Sequence, residues 1–317
     1  MRRSCLRTLL IVLPLLLAAA EAAAQRTTSA EVESKTLKTK DGVELNITYY
    51  ASSVGKDATP VILLHDLKGT GRDFARLARR LQQPEEDDKH ESFAVVTVDL
   101  RGHGDSRKQT NRGRTRELDS AKLSVQDMRG MVLGDMEAVR KFLVTENDAG
   151  KLNLNRLSIV GAGLGAIVAV NFAANDWAAP QLATIKQGQD VKALVLVSPE
   201  WKIKGLSMQN ALKQYGVQRE VAMMMPFGNE KRNISRNVER VYGQLDRYHS
   251  DARQITSKEL ASVLEELPGL LSLGFNTELQ GAELFKRAGK RADGLVALFL
   301  QQHTVSDEYS YSVRRQK

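Results

Sequence analysis

The sequence predicts one α/β domain whose central, mostly parallel β-sheet is covered by helices on both faces. Short runs of apolar, often β-branched residues recur along the chain, and stretches with helical periodicity separate them. Apolar runs without polar residues are typical of strands that are buried on both faces of a sheet. With 317 residues, 42% of them hydrophobic, the chain is long enough to bury one large core of this kind.

The predicted strands and helices alternate, which favours a parallel sheet. Strands are expected at residues 36–40, 43–50, 60–64, 93–98, 157–160, 191–197, 221–226 and 271–276. Helices are expected at residues 74–81, 125–145, 164–174, 235–247, 257–267 and 292–302. The first two strands form a hairpin, because the Asp41-Gly42 pair between them favours a two-residue turn. The last strand is expected at an edge of the sheet.

A basic segment without apolar periodicity follows the strand at residues 93–98, and we expect it to be an exposed loop. Its cations are Arg107, Lys108, Arg112, Arg114 and Arg116. Elsewhere Lys and Arg alternate with Asp and Glu, so the formal net charge of +8 indicates a solvated mixed surface. We find no nucleic-acid module and expect no nucleic-acid partner.

The N-terminus has the composition of a secretory signal peptide. Arginines precede an apolar run over residues 9–20, and small residues follow at 22–24. The predicted units are a signal peptide, a flexible leader, the α/β domain and a C-terminal tail, at residues 1–24, 25–34, 35–303 and 304–317. We therefore expect a periplasmic or secreted protein without stable membrane insertion, because the apolar run is short for a span. The only cysteine, Cys5, lies in the signal peptide, so the mature chain has no disulfide.

A glycine-rich turn after residues 157–160 determines which chemistry the chain can perform. It contains Gly161-Ala162-Gly163-Leu164-Gly165 and leads into an Ala- and Val-rich helix. Two patterns fit such a turn, namely the nucleophile elbow G-x-S-x-G and the dinucleotide fingerprint G-x-G-x-x-G/A. As an elbow, the turn has glycine where the nucleophilic serine is expected.

Together with this turn, two further segments resemble the α/β-hydrolase superfamily of serine esterases, lipases and aminopeptidases over residues 36–302. His65-Asp66 follows the third strand, where the family usually has His-Gly. The stretch from Asp99 to Ser106, with the sequence DLRGHGDS, follows the fourth strand. The resemblance implies the α/β-hydrolase fold with a minimal lid, no cofactor, and a structural role for His103.

The resemblance also implies positions for a Ser-Asp-His triad, and none of the three residues is present. Gly163 occupies the nucleophile position, and Gln280 occupies the position of the histidine. The acid is expected in the loop after residues 221–226, where Asn229, Lys231 or Arg232 stands in its place. Loss of nucleophile, base and acid together leaves nothing to activate a hydroxyl. We expect a hydrolase scaffold without hydrolase chemistry.

In the same resemblance, the backbone at Asp66, Leu67 and Leu164 forms the oxyanion hole. The Asp66 carboxylate would oppose negative charge in that hole, unless its side chain turns away. The amides of the elbow keep the positive partial charge of a helix N-terminus. With cations on neighbouring loops, they predict a binding site for a small anionic ligand. These cations are Lys68, Arg107, Lys202 and Arg232.

Other functions stay open from the sequence. A protein partner is the second binding role. Ser198 or Thr70 could act as an unrecognised nucleophile and keep the chain an active serine-type hydrolase. The pattern G-x-G-x-x-A from Gly161 matches a dinucleotide-binding oxidoreductase, but residues 181–187 lack the acidic residue that would bind the ribose. The five histidines are scattered and predict no metal site.

Overall fold

A nine-stranded sheet forms the centre of the protein in the computed structural model. The described residues are 31–86, 88–180, 186–288, 290–306 and 308–314, without the side chains of residues 286–291. The expected signal peptide and most of the expected leader, residues 1–30, lie outside the described residues. Within them, none of the helices combines the length and the apolar composition that crossing a membrane requires.

The strands and helices are named in chain order. The strands are β1 (Val32–Lys38), β2 (Glu44–Tyr50), β3 (Pro60–Leu64), β4 (Ala94–Val98), β5 (Lys108–Asn111), β6 (Arg114–Glu117), β7 (Leu157–Ala162), β8 (Val191–Val197), β9 (Lys202–Ile203), β10 (Leu206–Ser207), β11 (Ala222–Gly228), β12 (Arg253–Thr256) and β13 (Leu270–Phe275). The α-helices are α1 (Ala75–Gln82), α2 (Val125–Gly130), α3 (Met136–Asp148), α4 (Leu164–Ala178), α5 (Tyr215–Arg219), α6 (Arg232–Leu245), α7 (Ala282–Ala288) and α8 (Lys290–Thr304).

The central sheet has the strand order β1-β2-β4-β3-β7-β8-β11-β13-β12. Strand β2 pairs antiparallel with both β1 and β4, and every other pair in this sheet is parallel. Helices α2, α3, α4 and α6 pack on one face, and α1, α7 and α8 pack on the other. The predicted α/β fold with a mostly parallel sheet is confirmed. The carboxyl ends of the parallel strands meet at one edge, where the glycine-rich turn lies.

The basic segment after β4 is a β-hairpin, so the prediction of a loop was wrong. Strands β5 and β6 pair in register around the two-residue turn Arg112-Gly113. Both turn residues have positive φ, 49° and 75°, as a tight hairpin turn requires. The hairpin contains no apolar residue, and this explains why periodicity did not reveal it.

Two other segments also differ from expectation. Residues 257–267, expected to be helical, contain only one short 3₁₀ turn at Leu260–Ser262. Strand β12 precedes them and takes the edge position that we expected for β13. At the other end of the chain, residues 32–34 of the expected leader belong to β1, because they pair with β2.

A π-helical turn, Met131–Asp135, interrupts the long helix expected after β6. The buried Arg101 side chain packs here and contacts Asp135 at 2.6 Å and Asp41 at 2.7 Å. Its guanidinium also donates to the Gly130 carbonyl at 3.0 Å. A Cβ atom at Gly130 would lie 2.1 Å from Arg101 Nη1. The glycine therefore leaves the space that the buried ion pairs need.

We expect Gly130→Ala to lower the free energy of unfolding by about 1–3 kcal/mol, because its methyl group would displace the Arg101 guanidinium. The matched control is Gly243→Ala in α6, where no atom lies within 4 Å of the added Cβ. This control should raise the free energy of unfolding by about 0.5–1 kcal/mol, since alanine favours helices over glycine. Urea denaturation of both variants checks the prediction, and equal effects would contradict it.

The C-terminal tail packs against the domain as far as Arg314. The Arg314 guanidinium contacts the fully buried Asp190 carboxylate at 2.6 Å and donates to Asn155 Oδ1 at 2.6 Å. Asn155 in turn donates to the Ser310 carbonyl at 2.6 Å. The described part of the tail thus belongs to the folded unit, although its sequence has no periodicity that would predict this.

Asp176 in α4 lies beside this buried ion pair. Its Oδ2 accepts hydrogen bonds from the N–H groups of Asp190 and Val191, at 2.7 and 3.0 Å. Its Oδ1 is buried and has no hydrogen-bond partner in the described part of the chain. Burial and the neighbouring Asp190 charge raise the pKa of Asp176 from 3.8 to about 6.

We expect Asp176→Asn to stabilise the protein at pH 7.5 by up to roughly 3 kcal/mol. The native pKa exceeds the unfolded one, so the wild-type group contributes full stability only below pH 4. This contribution is lost as the pH rises through about 6. An asparagine still accepts both backbone hydrogen bonds but carries no charge. Urea denaturation between pH 4 and 7.5 tests this, and an equal gain at both ends would contradict it.

Candidate active site

The glycine-rich turn has the backbone of a nucleophile elbow. Gly163 adopts φ 48° and ψ −104°, a conformation that is strained for any residue with a side chain. A Cβ at Gly161 would lie 2.4 Å from the Gly165 carbonyl oxygen, and one at Gly165 would lie 2.3 Å from that of Leu64. These two glycines therefore let strand and helix backbones approach closely, as the elbow pattern requires. The turn keeps this geometry without the nucleophile.

The Asp66 carboxylate fills the space beside Gly163. Its Oδ1 accepts hydrogen bonds from the N–H groups of Leu67 and Leu164, at 2.7 and 2.8 Å. Both N–H groups belong to the backbone that the resemblance implies for an oxyanion hole, which also includes Asp66 itself. A Cβ at Gly163 would lie 2.1 Å from the same oxygen. The side chain does not turn away, so the chain's own carboxylate occupies both donors.

Gln280 holds a loop in place where a catalytic histidine is expected. Its Nε2 donates to the Gly228 carbonyl at 2.8 Å, and its Oε1 accepts from the Gly228 N–H at 3.3 Å. This pair of bonds ties the loop after β13 to the end of β11. A neutral amide accepts no proton at ordinary pH, so Gln280 cannot act as a general base.

The loop after β11 supplies no acid at the expected positions. The Asn229 amide donates to the Asn276 side-chain oxygen at 3.1 Å. Lys231 precedes α6, and Arg232 is the first residue of this helix with an exposed side chain. Glu230 is also exposed, and its backbone N–H donates to the Thr277 carbonyl.

Both alternative nucleophiles, Ser198 and Thr70, make hydrogen bonds that hold the local backbone in place. Ser198 is buried with φ 48°, and its hydroxyl oxygen accepts from the Gly281 N–H at 3.0 Å. The Thr70 N–H donates to the Asp73 carboxylate at 3.0 Å, at the start of a short 3₁₀ helix. Across the described residues, no cluster of three or more His, Cys, Asp or Glu side chains is arranged to hold a metal ion.

Two histidines position the loop that carries Asp66. His65 Nε2 accepts from the Leu100 N–H at 3.0 Å, so its Nδ1 carries the proton and donates to the Asp66 carbonyl at 2.7 Å. Burial lowers the pKa of His65 to about 4, so the ring is neutral. His103 Nε2 lies 2.7 Å from the Leu67 carbonyl oxygen. The structure thus gives His103 the positioning role that the resemblance implies.

The four cations expected to bind an anion lie on separate elements. They are Lys68 after β3, Arg107 before β5, Lys202 on β9 and Arg232 on α6, all exposed. The Asp66 and Glu200 carboxylates also lie at this edge of the sheet. Burial, together with the Asp66 charge, raises the pKa of Glu200. An external anion at the elbow would have to displace Asp66 from the N–H groups of Leu67 and Leu164, and the expected anion site stays a prediction.

A double-mutant cycle tests whether the Asp66 carboxylate requires a residue without a Cβ atom at position 163. We expect Gly163→Ser to lower the free energy of unfolding by about 2–4 kcal/mol, because a Cβ overlaps the carboxylate and strains the turn. Asp66→Ala removes the acceptor of two N–H groups and should cost about 1–2 kcal/mol. The double variant should be more stable than the sum of the two effects by about 1–2 kcal/mol.

Urea denaturation of the four proteins measures this coupling. A second cycle that combines Gly163→Ser with the remote Gly243→Ala is the control and should be additive. If the Asp66 cycle were additive as well, the carboxylate would not occupy the space beside residue 163.

The site and fold can be compared with known proteins. Residues 61–300 match the model of the Alpha/beta hydrolase family. The chain is similar to the Pyrococcus furiosus esterase Pf2001, with a TM-score of 0.58 and 15% identity over 87% of this chain and 94% of that chain. It is also similar to DcsB, solved with a substrate analogue, with a TM-score of 0.53 and 12% identity over 88% and 100% of the two chains. A search of curated proteins found no match to the sequence. Because the family model spans most of the sequence and the structural matches agree on the fold, the chain belongs to the alpha/beta hydrolase family.

Proposed function

We propose that this protein is a non-catalytic alpha/beta hydrolase that uses its scaffold for binding. One observation carries the proposal, namely the Asp66 carboxylate that accepts both oxyanion-hole N–H groups beside Gly163. Acyl transfer requires these donors for the oxygen that becomes negative in the transition state. A fixed carboxylate at this point repels that charge and also occupies its space.

The rest of the triad geometry supports the same proposal. Gln280 uses both ends of its amide on the Gly228 backbone, so it offers no proton acceptor to a hydroxyl at the elbow. An active hydrolase based on Ser198 would require this buried hydroxyl to leave the Gly281 N–H. Such a nucleophile would also lack a base among its described hydrogen bonds.

The proposal includes export, which rests on the signal-peptide composition of residues 1–24. Of the two binding roles expected from the sequence, it favours a protein partner over a small anion at the elbow. The reason is that the elbow amides already have an acceptor in Asp66. The ordered, basic β5–β6 hairpin is a second feature that suits a partner.

Labelling of the mature wild-type chain with a fluorophosphonate probe tests the proposal. We expect no labelled serine and no hydrolysis of activated esters above the buffer rate, because Gly163 cannot form an acyl-enzyme. Gly163→Ser alone should stay inactive. Adding Asp66→Gly, Gln280→His and Arg232→Asp to it should give measurable labelling, since the hole, base and acid are then restored.

Mass spectrometry of the labelled peptides is the decisive measurement. A labelled serine in the wild type would overturn the proposal, and loss of the label in Ser198→Ala would identify the nucleophile. Equal ester turnover by wild type and the fourfold variant would contradict the assignment of the lost positions.

A further inference from the structure

The β5–β6 hairpin is an ordered element without an apolar residue. An isolated two-stranded hairpin is marginally stable in water, so other contacts must hold this one. The Thr110 N–H donates to the Gly42 carbonyl at 2.8 Å, and Gln109 Nε2 donates to the Asp41 carbonyl at 2.9 Å. These bonds use the outer edge of β5 and attach it to the turn between β1 and β2.

The outer edge of β6 is free in the described part of the protein. The pair Asn111–Arg114 flanks the two-residue turn and exchanges hydrogen bonds, so the next pair, Thr110–Thr115, does not. By this alternation Thr115 and Glu117 direct their backbone N–H and C=O groups away from β5. All four residues of β6 are exposed. The edge therefore offers a short backbone template to another strand.

The hairpin carries uncompensated positive charge. Lys108 pairs with Glu44 at 2.9 Å, and Arg116 pairs with Asp127 at 2.6 Å. Arg112 and Arg114 have no ion pair among the described residues. Arg107 also has none, but its charge helps to lower the pKa of Asp119. Glu117 is the only acidic residue between positions 107 and 117, so the free charges of this segment are mainly positive.

We propose that the β6 edge binds an extended, acidic segment of a partner protein, which adds a third strand to the hairpin. This inference rests on the binding role proposed above. Alternate residues of a strand share a face, so Arg114 and Arg116 lie on one side of β6. A partner strand with Asp or Glu at every second position places its carboxylates on that side. There Arg114, which has no ion pair among the described residues, favours a cross-strand pair of opposite charge.

A groove of about 500 Å³ lies beside the hairpin and provides room for these side chains. Its charged lining residues are Arg107, Arg116 and Lys122 with Glu117, Asp119 and Asp127. The unpaired backbone groups of β6 favour a peptide over another polyanion, because a polysaccharide or nucleic acid has no strand backbone to pair with them.

The probe is a fluorescent ten-residue peptide of alternating Glu and Thr, titrated with the mature chain and followed by anisotropy. We expect saturable binding that weakens as salt is added. One control peptide has the same composition in two blocks. A second is N-methylated at every second amide and cannot pair with the edge. Both should bind at least about tenfold more weakly, since each loses several hydrogen bonds or ion pairs.

Variants of the hairpin locate the binding. Thr115→Pro removes an outward N–H and should weaken binding about tenfold, whereas Thr115→Val keeps this N–H and should bind like wild type. Arg114→Gln should weaken binding several-fold. This variant becomes the main test if Thr115→Pro disturbs the hairpin. Lys258→Gln, an exposed lysine after β12, is the remote control and should have no effect. Unchanged thermal unfolding confirms that each variant is folded.

Three outcomes would overturn the inference. These are absence of binding up to about 1 mM peptide, equal binding of the control peptides, and a response to Arg114→Gln without one to Thr115→Pro. Equal competition by heparin or single-stranded DNA would also overturn the inference, because the edge would then bind only through its charge. None of these results depends on the fluorophosphonate assay, so failure of the non-catalytic proposal and failure of this one are distinguishable.

Discussion

The carboxyl edge of the sheet depends on one carboxylate that accepts two backbone hydrogen bonds. The N–H of Leu164 belongs to the first turn of α4, where helix geometry leaves it without an intrahelical acceptor. Asp66 supplies this acceptor, and its negative charge also interacts favourably with the helix N-terminus. The turn therefore stays in the shape of a nucleophile elbow although no nucleophile requires it. Gly163 is the matching half, because only a residue without a Cβ leaves room for the carboxylate.

This arrangement explains how the elbow keeps its shape with glycine in place of serine. An elbow with serine holds a side chain in a strained conformation, and active sites commonly keep such strain for function. Glycine at position 163 relieves this strain. The charge-assisted hydrogen bonds of Asp66 occupy the N–H groups of the oxyanion hole. The two hydrophobic clusters on either face of the sheet and the buried Arg101 ion pairs involve neither Asp66 nor Gly163. The main sources of stability therefore do not depend on which residue occupies position 163.

The sequence was sufficient to predict the fold and the position of the glycine-rich turn between β7 and α4. Apolar runs located the buried strands, and the elbow pattern located Gly163, because both signals are local. The direction of the Asp66 side chain was not predictable, since it depends on a loop that His103 holds from another strand end. The β5–β6 hairpin and the docked tail escaped prediction for a related reason. Polar contacts hold them, such as those of Gln109 and Arg314, and these leave no periodic pattern in the sequence.

The Asp66 carboxylate in the oxyanion hole also changes the charge at the carboxyl edge of the sheet. Hydrolases present positive partial charge at the elbow, whereas here the exposed Asp66 carboxylate lies there, with Glu200 near enough for the Asp66 charge to raise its pKa. The β5–β6 hairpin carries further exposed cations, Arg112 and Arg114, without an ion pair in the described part of the chain. The acidic segment proposed above would be repelled by Asp66 at the elbow and attracted to the hairpin, where β6 has unpaired backbone groups. The charge distribution thus supports binding at the side of the molecule over binding in the cleft.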